Sequence, residues 1–115
     1  MDTSQRGKWG EEVALDYLSK NNYTTVKKGF RSRFGEIDII VKNKEFLVFV
    51  EVKTRKNKAF AHACEYVGKT KQKKIISTAN YYLAQRPTNL QPRFDVIEVY
   101  TEPHEINHIE NAFGV

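Results

Sequence analysis

GEIDIIVKNKEFLVFVEVKTR, residues Gly35 to Arg55, sets carboxylates inside two strongly apolar runs. Asp38 stands among Ile37, Ile39, Ile40 and Val41. Glu51 follows Phe46, Leu47, Val48, Phe49 and Val50 and precedes Val52 and Lys53. Both runs are rich in β-branched and aromatic residues, which predicts strand. A carboxylate carried into low dielectric costs several kcal/mol even after relaxation, so it needs a cation, a set of donors or a route to solvent. Two such acids in one short stretch point to a bound metal ion.

Residues two apart on a strand share a face, so Glu51 and Lys53 project to the same side. Between the runs, Lys42-Asn43-Lys44-Glu45 is polar and holds an Asn that tolerates left-handed backbone, which predicts a tight antiparallel hairpin. A two-residue turn pairing Lys42 with Glu45 would set Asp38 opposite Phe49 and on the face of Glu51 and Lys53. Asp, Glu and Lys on one surface suit phosphodiester hydrolysis. Two carboxylates hold Mg²⁺ or Mn²⁺ through oxygen, the ion polarises the phosphate and acidifies water, and the ammonium orients that water or offsets developing charge. The plainer alternative is a hairpin whose acids pair with Lys53, Arg31 or Arg55 at a sheet end.

A longer ordered set surrounds these residues. It comprises Gly10-Glu11 with Ala14 and Leu18, Arg31, Gly35-Glu36-Ile37-Asp38, Phe49-Val50-Glu51-Val52-Lys53 with Arg55, Lys71-Gln72, Arg93-Phe94-Asp95-Val96 and Ala112-Phe113. Asp, twelve residues, then Glu-x-Lys resembles the signature of the restriction-endonuclease-like nuclease superfamily. The fuller pattern resembles the YraN-type family of uncharacterised bacterial proteins placed in that superfamily. Ala61 departs from it, since Gly would follow Phe60. The resemblance implies the superfamily fold and a nuclease site in which Asp38 and Glu51 are metal ligands and Lys53 is the catalytic cation.

Composition fits a small nucleic-acid protein. The 115 residues predict one domain, residues 1–115, with a single core. A net charge of +5 favours polyanions, and the excess is clustered: Lys53 to Lys58 supplies four cations in six residues and Lys69 to Lys74 another four. Arg55 and Lys71 belong to these clusters and, with Arg31, are the candidate nucleic-acid contacts. The longest apolar run, Phe46 to Val50, falls far short of the roughly 20 residues of a spanning helix. No signal-peptide core opens the chain, so the expected compartment is the cytoplasm and no membrane partner is expected. A single Cys64 excludes an internal disulfide and a cysteine-rich zinc site.

A first helix, capped by Thr3 or Ser4, is predicted to reach about Asn21, with Trp9, Val13, Ala14, Tyr17 and Leu18 as its apolar face. Glu11 leans toward that face. It is either a third carboxylate of the acidic pocket, as the resemblance favours, or a helix-flank acid paired with Lys or Arg. Tyr23 to Phe30 reads as a strand, followed by Arg31 and Arg33, which either grip phosphates or are solvated charge at a strand end. Arg31 matches the family pattern. Thr54 to Tyr66 shows no period and reads as a loop beside the site, in which His62 is a weak candidate general acid and Cys64 an apolar contact.

The second helix is predicted from about Thr70 to Gln85, with Ile75, Ile76, Ala79, Tyr82 and Leu83 inward. Lys71 lies four residues before Ile75, so its stem can follow the core edge while its head reaches the acidic face or a phosphate. Arg93 to Tyr100 reads as a further strand in which Asp95 pairs with Arg93 or Arg55, and the last fifteen residues as a short tail element. His104-Glu105-Ile106-Asn107-His108 spells H-E-x-x-H, but without the apolar helix a zinc protease requires.

The resulting expectation is an α/β fold of order αβββαβ, a restriction-endonuclease-like core with a central mixed β-sheet flanked by helices. The leading functional reading is a Mg²⁺- or Mn²⁺-dependent nuclease acting on DNA in preference to RNA, at branched or structured sites in the manner of a Holliday-junction resolvase. Its catalytic residues are Glu11, Asp38, Glu51 and Lys53. The alternatives are a noncatalytic nucleic-acid-binding module and a self-assembling structural protein. Double-strand cleavage would call for a homodimer.

Overall fold

The computed structural model describes residues 2–58 and 67–114. Helix α1 (Thr3–Lys20) is followed by strands β1 (Thr24–Ser32), β2 (Gly35–Lys42) and β3 (Phe46–Arg55), helix α2 (Lys69–Gln85), and strands β4 (Gln91–Thr101) and β5 (His104–Phe113). The strands form one five-stranded sheet in sequence order. All neighbours are antiparallel except β3 and β4, which run parallel because α2 makes the crossover between them. This is a mixed α/β architecture compatible with the restriction-endonuclease-like core.

Period-2 alternation along β3 and β4, and along β2 from Ile39 onward, supplies apolar side chains to both faces of the sheet. Leu47 and Phe49 meet Ile75, Ala79 and Tyr82 of α2, with Phe30, Ile40, Phe94 and Val96 around them. Val48 and Val50 meet Ala14 and Leu18 of α1, together with Ile39, Val41, Ile97 and Val99. The central strands are therefore buried on both sides, which is why their sequences read as nearly continuous apolar runs.

Three expectations need correction. Asp2, not Thr3 or Ser4, caps α1: its carboxylate accepts from Gln5 N at 2.8 Å while the Gln5 side chain accepts from Asp2 N. Thr54 and Arg55, assigned to the loop, extend β3 alongside Val99 and Tyr100. The tail is a ten-residue strand, so the order among the described residues is αβββαββ. Polar residues hid β5, because an edge strand with one face in water lacks a strong apolar signature. H-E-x-x-H lies on this strand, and both ring nitrogens of His108 are engaged, with Asp95 Oδ2 at 2.7 Å and Tyr17 Oη at 3.0 Å. Neither fits a helical zinc motif. Ala61, His62 and Cys64 lie outside the described residues.

Two buried polar clusters tie β4 down. Asp95, fully buried, accepts twice from Arg93 and once each from His108 and Asn111 N. Glu98 accepts from Tyr100 and Asn107, with Arg55 Nε at 3.7 Å. Of the two partners expected for Asp95, Arg93 is the one found.

Where α1 crosses β3, a close approach requires glycine. A Cβ on Gly10 would overlap Thr54 Oγ1 and lie 3.2 Å from Thr54 Cβ. The atoms met belong to the Thr54 side chain, so either Thr54 changes rotamer or α1 lifts from β3 and carries Glu11 with it. Gly10→Ala should therefore destabilise the fold by about 1–3 kcal/mol in urea unfolding. Adding Thr54→Ala should restore part of the loss; a fully stable Gly10→Ala would contradict this packing.

Candidate active site

The β2–β3 connection decides what faces what. Asn43 Oδ1 accepts from Glu45 N and Phe46 N, and Asn43 N donates to Phe46 O. These bonds close a wider turn than a two-residue hairpin. Lys42 pairs with Leu47 and Ile39 with Val50, a register two residues from the expected one. An even slip leaves every side chain on its face but moves the partner of Asp38 from Phe49 toward Glu51. The pairing stops at Ile39, and there the strands fork.

Asp38 sits in that fork. Its Oδ2 accepts from Val52 N at 2.8 Å, in the place a ladder carbonyl would otherwise occupy. Alternation also breaks here, since Ile37 and Ile40 join the α2-side cluster while Ile39 joins the other. Glu51 is only 5% exposed, with Lys71 Nζ 2.8 Å and Lys53 Nζ 3.8 Å from its Oε1. α2 delivers Lys71 by burying Ile75 and Ala79 one and two turns further on. Gln72 secures the start of that helix by donating to Val67 O at 2.7 Å.

Electrostatics in the fork are strained on the acidic side. Asp38 is pushed up to about 7, first by burial and then by the charge of Glu51, with Glu11 adding to it. Burial, then Glu36 and Glu51, raise Glu11. Glu11 makes no ion pair with any described residue. The pairing alternative for this residue is thus not what the structure shows. Lys53 is held below the ordinary lysine range by burial and then by the neighbouring Lys71 charge, against the pull of Glu51. Lys71 is raised because its bond to Glu51, with the Glu51 and Asp38 charges, outweighs its own burial.

The basic candidates divide. Lys71 reaches the acidic face. Arg31 is exposed and ion-paired with Glu36. Arg55 is buried beside Glu98, so it braces β3 and is not presented to solvent. Glu36, passed over in the sequence, contributes to the acidic field on Glu11; its place in Gly35-Glu36-Ile37-Asp38 was the available signal. Among the described residues, no three His, Cys, Asp or Glu side chains are grouped closely enough to hold a metal by themselves. The carboxylates that share one electric field here are Asp38 and Glu51, with Glu11 coupled to both.

The sequence model for the Uncharacterised protein family UPF0102 matches residues 10–99, a span holding Glu11, Asp38, Glu51, Lys53 and Lys71. The chain belongs to the UPF0102 family. This is the YraN-type family that its pattern resembles. The chain is similar to a UPF0102 protein of Clostridioides difficile strain 630, 46% identical over 114 residues, covering 98% of this chain and 100% of that protein. A UPF0102 protein of Clostridium acetobutylicum is 43% identical over 114 residues, covering 95% and 93%. One from Caldanaerobacter subterraneus subsp. tengcongensis is 45% identical over 113 residues, covering 93% of each chain.

Asp38 gives this UPF0102 chain a pH signature. Its folded-state pKa of about 7 lies above the ordinary 3.8, so between those values the folded protein retains a proton that the unfolded chain releases. Stability therefore falls as pH rises through this window, and the penalty is complete above it. Asp38→Asn keeps an oxygen for Val52 N–H but removes the charge. It should be more stable than the parent at pH 8, by on the order of a few kcal/mol, with the gain vanishing near pH 4. Urea unfolding at the two pH values checks this; a gain independent of pH would contradict it.

Proposed function

We propose that this protein is a metal-dependent nuclease that hydrolyses phosphodiester bonds in DNA. The observation that carries the reading is the fork: Asp38 and Glu51 come together from β2 and β3, raise the proton affinity at Asp38, and have Lys53 and Lys71 beside them. A hard dication fits the donor set, because oxygen-only ligands that repel one another are relieved by a shared positive charge. Asp38 and Glu51 would hold Mg²⁺ or Mn²⁺, which when bound polarises the phosphate and acidifies a water.

The chain's own groups account for the remaining roles. Lys71 stands where a cation would stand on Glu51, and once displaced it is free to reach a phosphate oxygen. Lys53 Nζ can donate to the phosphate oxygen that gains charge as the attacking water adds to phosphorus and the ester oxygen leaves. Glu11 lies further out in the acidic field, where a carboxylate of raised proton affinity can orient that water and accept its proton. DNA would be drawn in by the +5 net charge, with Lys69, Lys73 and Lys74 on the exposed side of α2. No described helix is long and apolar enough to cross a membrane, and the proposal places the protein with DNA in the cytoplasm.

One observation favours a second reading, a binding module without catalysis: Lys71 Nζ lies 2.8 Å from Glu51 Oε1, an ion pair that offsets the Glu51 charge with a group of the chain itself. A cleavage panel of linear, flapped, four-way and single-stranded DNA with Mg²⁺ or Mn²⁺ separates the two. The nuclease reading predicts ion-dependent cleavage, reduced roughly a hundredfold or more by Glu51→Gln or Lys53→Met with binding largely retained. DNA binding without cleavage on every substrate would favour the module, and cleavage unchanged in Glu51→Gln would place the activity elsewhere.

A further inference from the structure

Four large apolar side chains are exposed among the described residues: Val26, Phe34, Tyr81 and Ile109. Phe34 alone of these carries a cation on its ring, the Arg33 guanidinium carbon lying 4.9 Å from the centroid. Isolated exposed apolar residues need no explanation. Phe34 differs because the tip that presents it is fastened down and faces a charged neighbourhood.

The fastening is a chain of hydrogen bonds. Phe34 N donates to Ser32 Oγ at 3.0 Å, Ser32 Oγ lies 3.0 Å from Thr78 Oγ1, and Thr78 Oγ1 donates to Lys74 O at 2.8 Å. With Thr78 donating to the helix, Ser32 is left as donor to Thr78, so every group in the chain is satisfied. Gly35 seats the tip on α2, where a Cβ would come within 3.3 Å of Lys74 Cβ. Lys71, on Glu51, is one helical turn before Lys74 on the same face. Phe34 stands one residue before β2 and four before Asp38, roughly 13 Å at most at strand rise.

We propose that Phe34, at the β1–β2 tip beside Arg33 and next to Gly35, which packs on Lys74, is a stacking platform for an unpaired base of single-stranded DNA leading to the Asp38–Glu51 fork. This rests on the nuclease reading for the use of the fork, though not for the binding itself. A flat ring backed by a guanidinium offers any base a π-face, and the nearby cations hold the phosphates on either side. Bases inside an intact duplex are already stacked and have no free face to offer. The tip thus selects strands with unpaired nucleotides near the fork, while the lysines of α2 bind phosphate regardless of pairing.

The test uses the full chain with EDTA present, so that no cleavage intervenes. Anisotropy measures binding of a single-stranded oligonucleotide and its duplex, and 2-aminopurine in the single strand reports stacking. Phe34→Ala should weaken single-strand binding about tenfold or more, leave duplex binding unchanged and remove the 2-aminopurine quenching. Phe34→Trp should retain all three. Equal losses on both DNAs, no loss on either, or quenching that persists in Phe34→Ala would overturn the proposal. Selective loss in Phe34→Ala together with no cleavage by the parent under Mg²⁺ or Mn²⁺ would sustain the platform and reject the nuclease. Normal cleavage by the parent with undiminished single-strand binding in Phe34→Ala would do the reverse.

Discussion

Everything at the candidate site depends on the parting of β2 from β3 at Asp38. A sheet ladder leaves no room for a carboxylate among its backbone groups, but a ladder that ends there leaves Val52 N–H without a strand partner. The Asp38 side chain takes that donor at 2.8 Å. One hydrogen bond fixes the carboxylate beside Glu51 without cancelling the repulsion between the two acids. Its stabilising effect on the charged form is outweighed by burial and by the Glu51 charge, which is why Asp38 rises to about 7.

The surrounding fold holds this unfavourable arrangement in place. Two apolar layers, one under α1 and one under α2, bury β3 on both faces and fix Glu51 and Lys53 on the α2 side. Gly10 lets α1 approach Thr54 closely enough to carry Glu11 into the same electric field. α2, anchored through Ile75, Ala79 and Tyr82, extends Lys71 onto Glu51 and supports the β1–β2 tip through Thr78. Such a conflict between local cost and global stability is characteristic of functional sites.

Much of this was legible in the sequence because it follows from periodicity. The Glu51–Lys53 face, the α2 crossover, the parallel pairing it imposes and the direction of Lys71 all derive from spacings of two, three and four residues. The register of the β2–β3 hairpin was not, because Asn43 can support either a tight turn or the wider one its Oδ1 closes. Because the slip was even, the paired residues Ile39 to Lys42 keep their expected faces. β5 was missed since an edge strand needs apolar residues on one side only, and its strongest contacts are polar ones to buried Asp95 and Glu98. Arg55 was read from charge clustering, which says nothing of burial, and its partner Glu98 lies 43 positions away in sequence. The Ser32–Thr78 link likewise joins distant residues that no local pattern connects.

The proposed nuclease site requires that Asp38 and Glu51 together hold a divalent ion and that Lys71, 2.8 Å from Glu51, give way to it. Anomalous diffraction from crystals soaked in Mn²⁺ near pH 8 tests this most directly. The account predicts a single strong peak within bonding distance of both carboxylates, with Lys71 Nζ withdrawn from Glu51. Density showing Lys71 still on Glu51 and no Mn²⁺ between the two acids would contradict it.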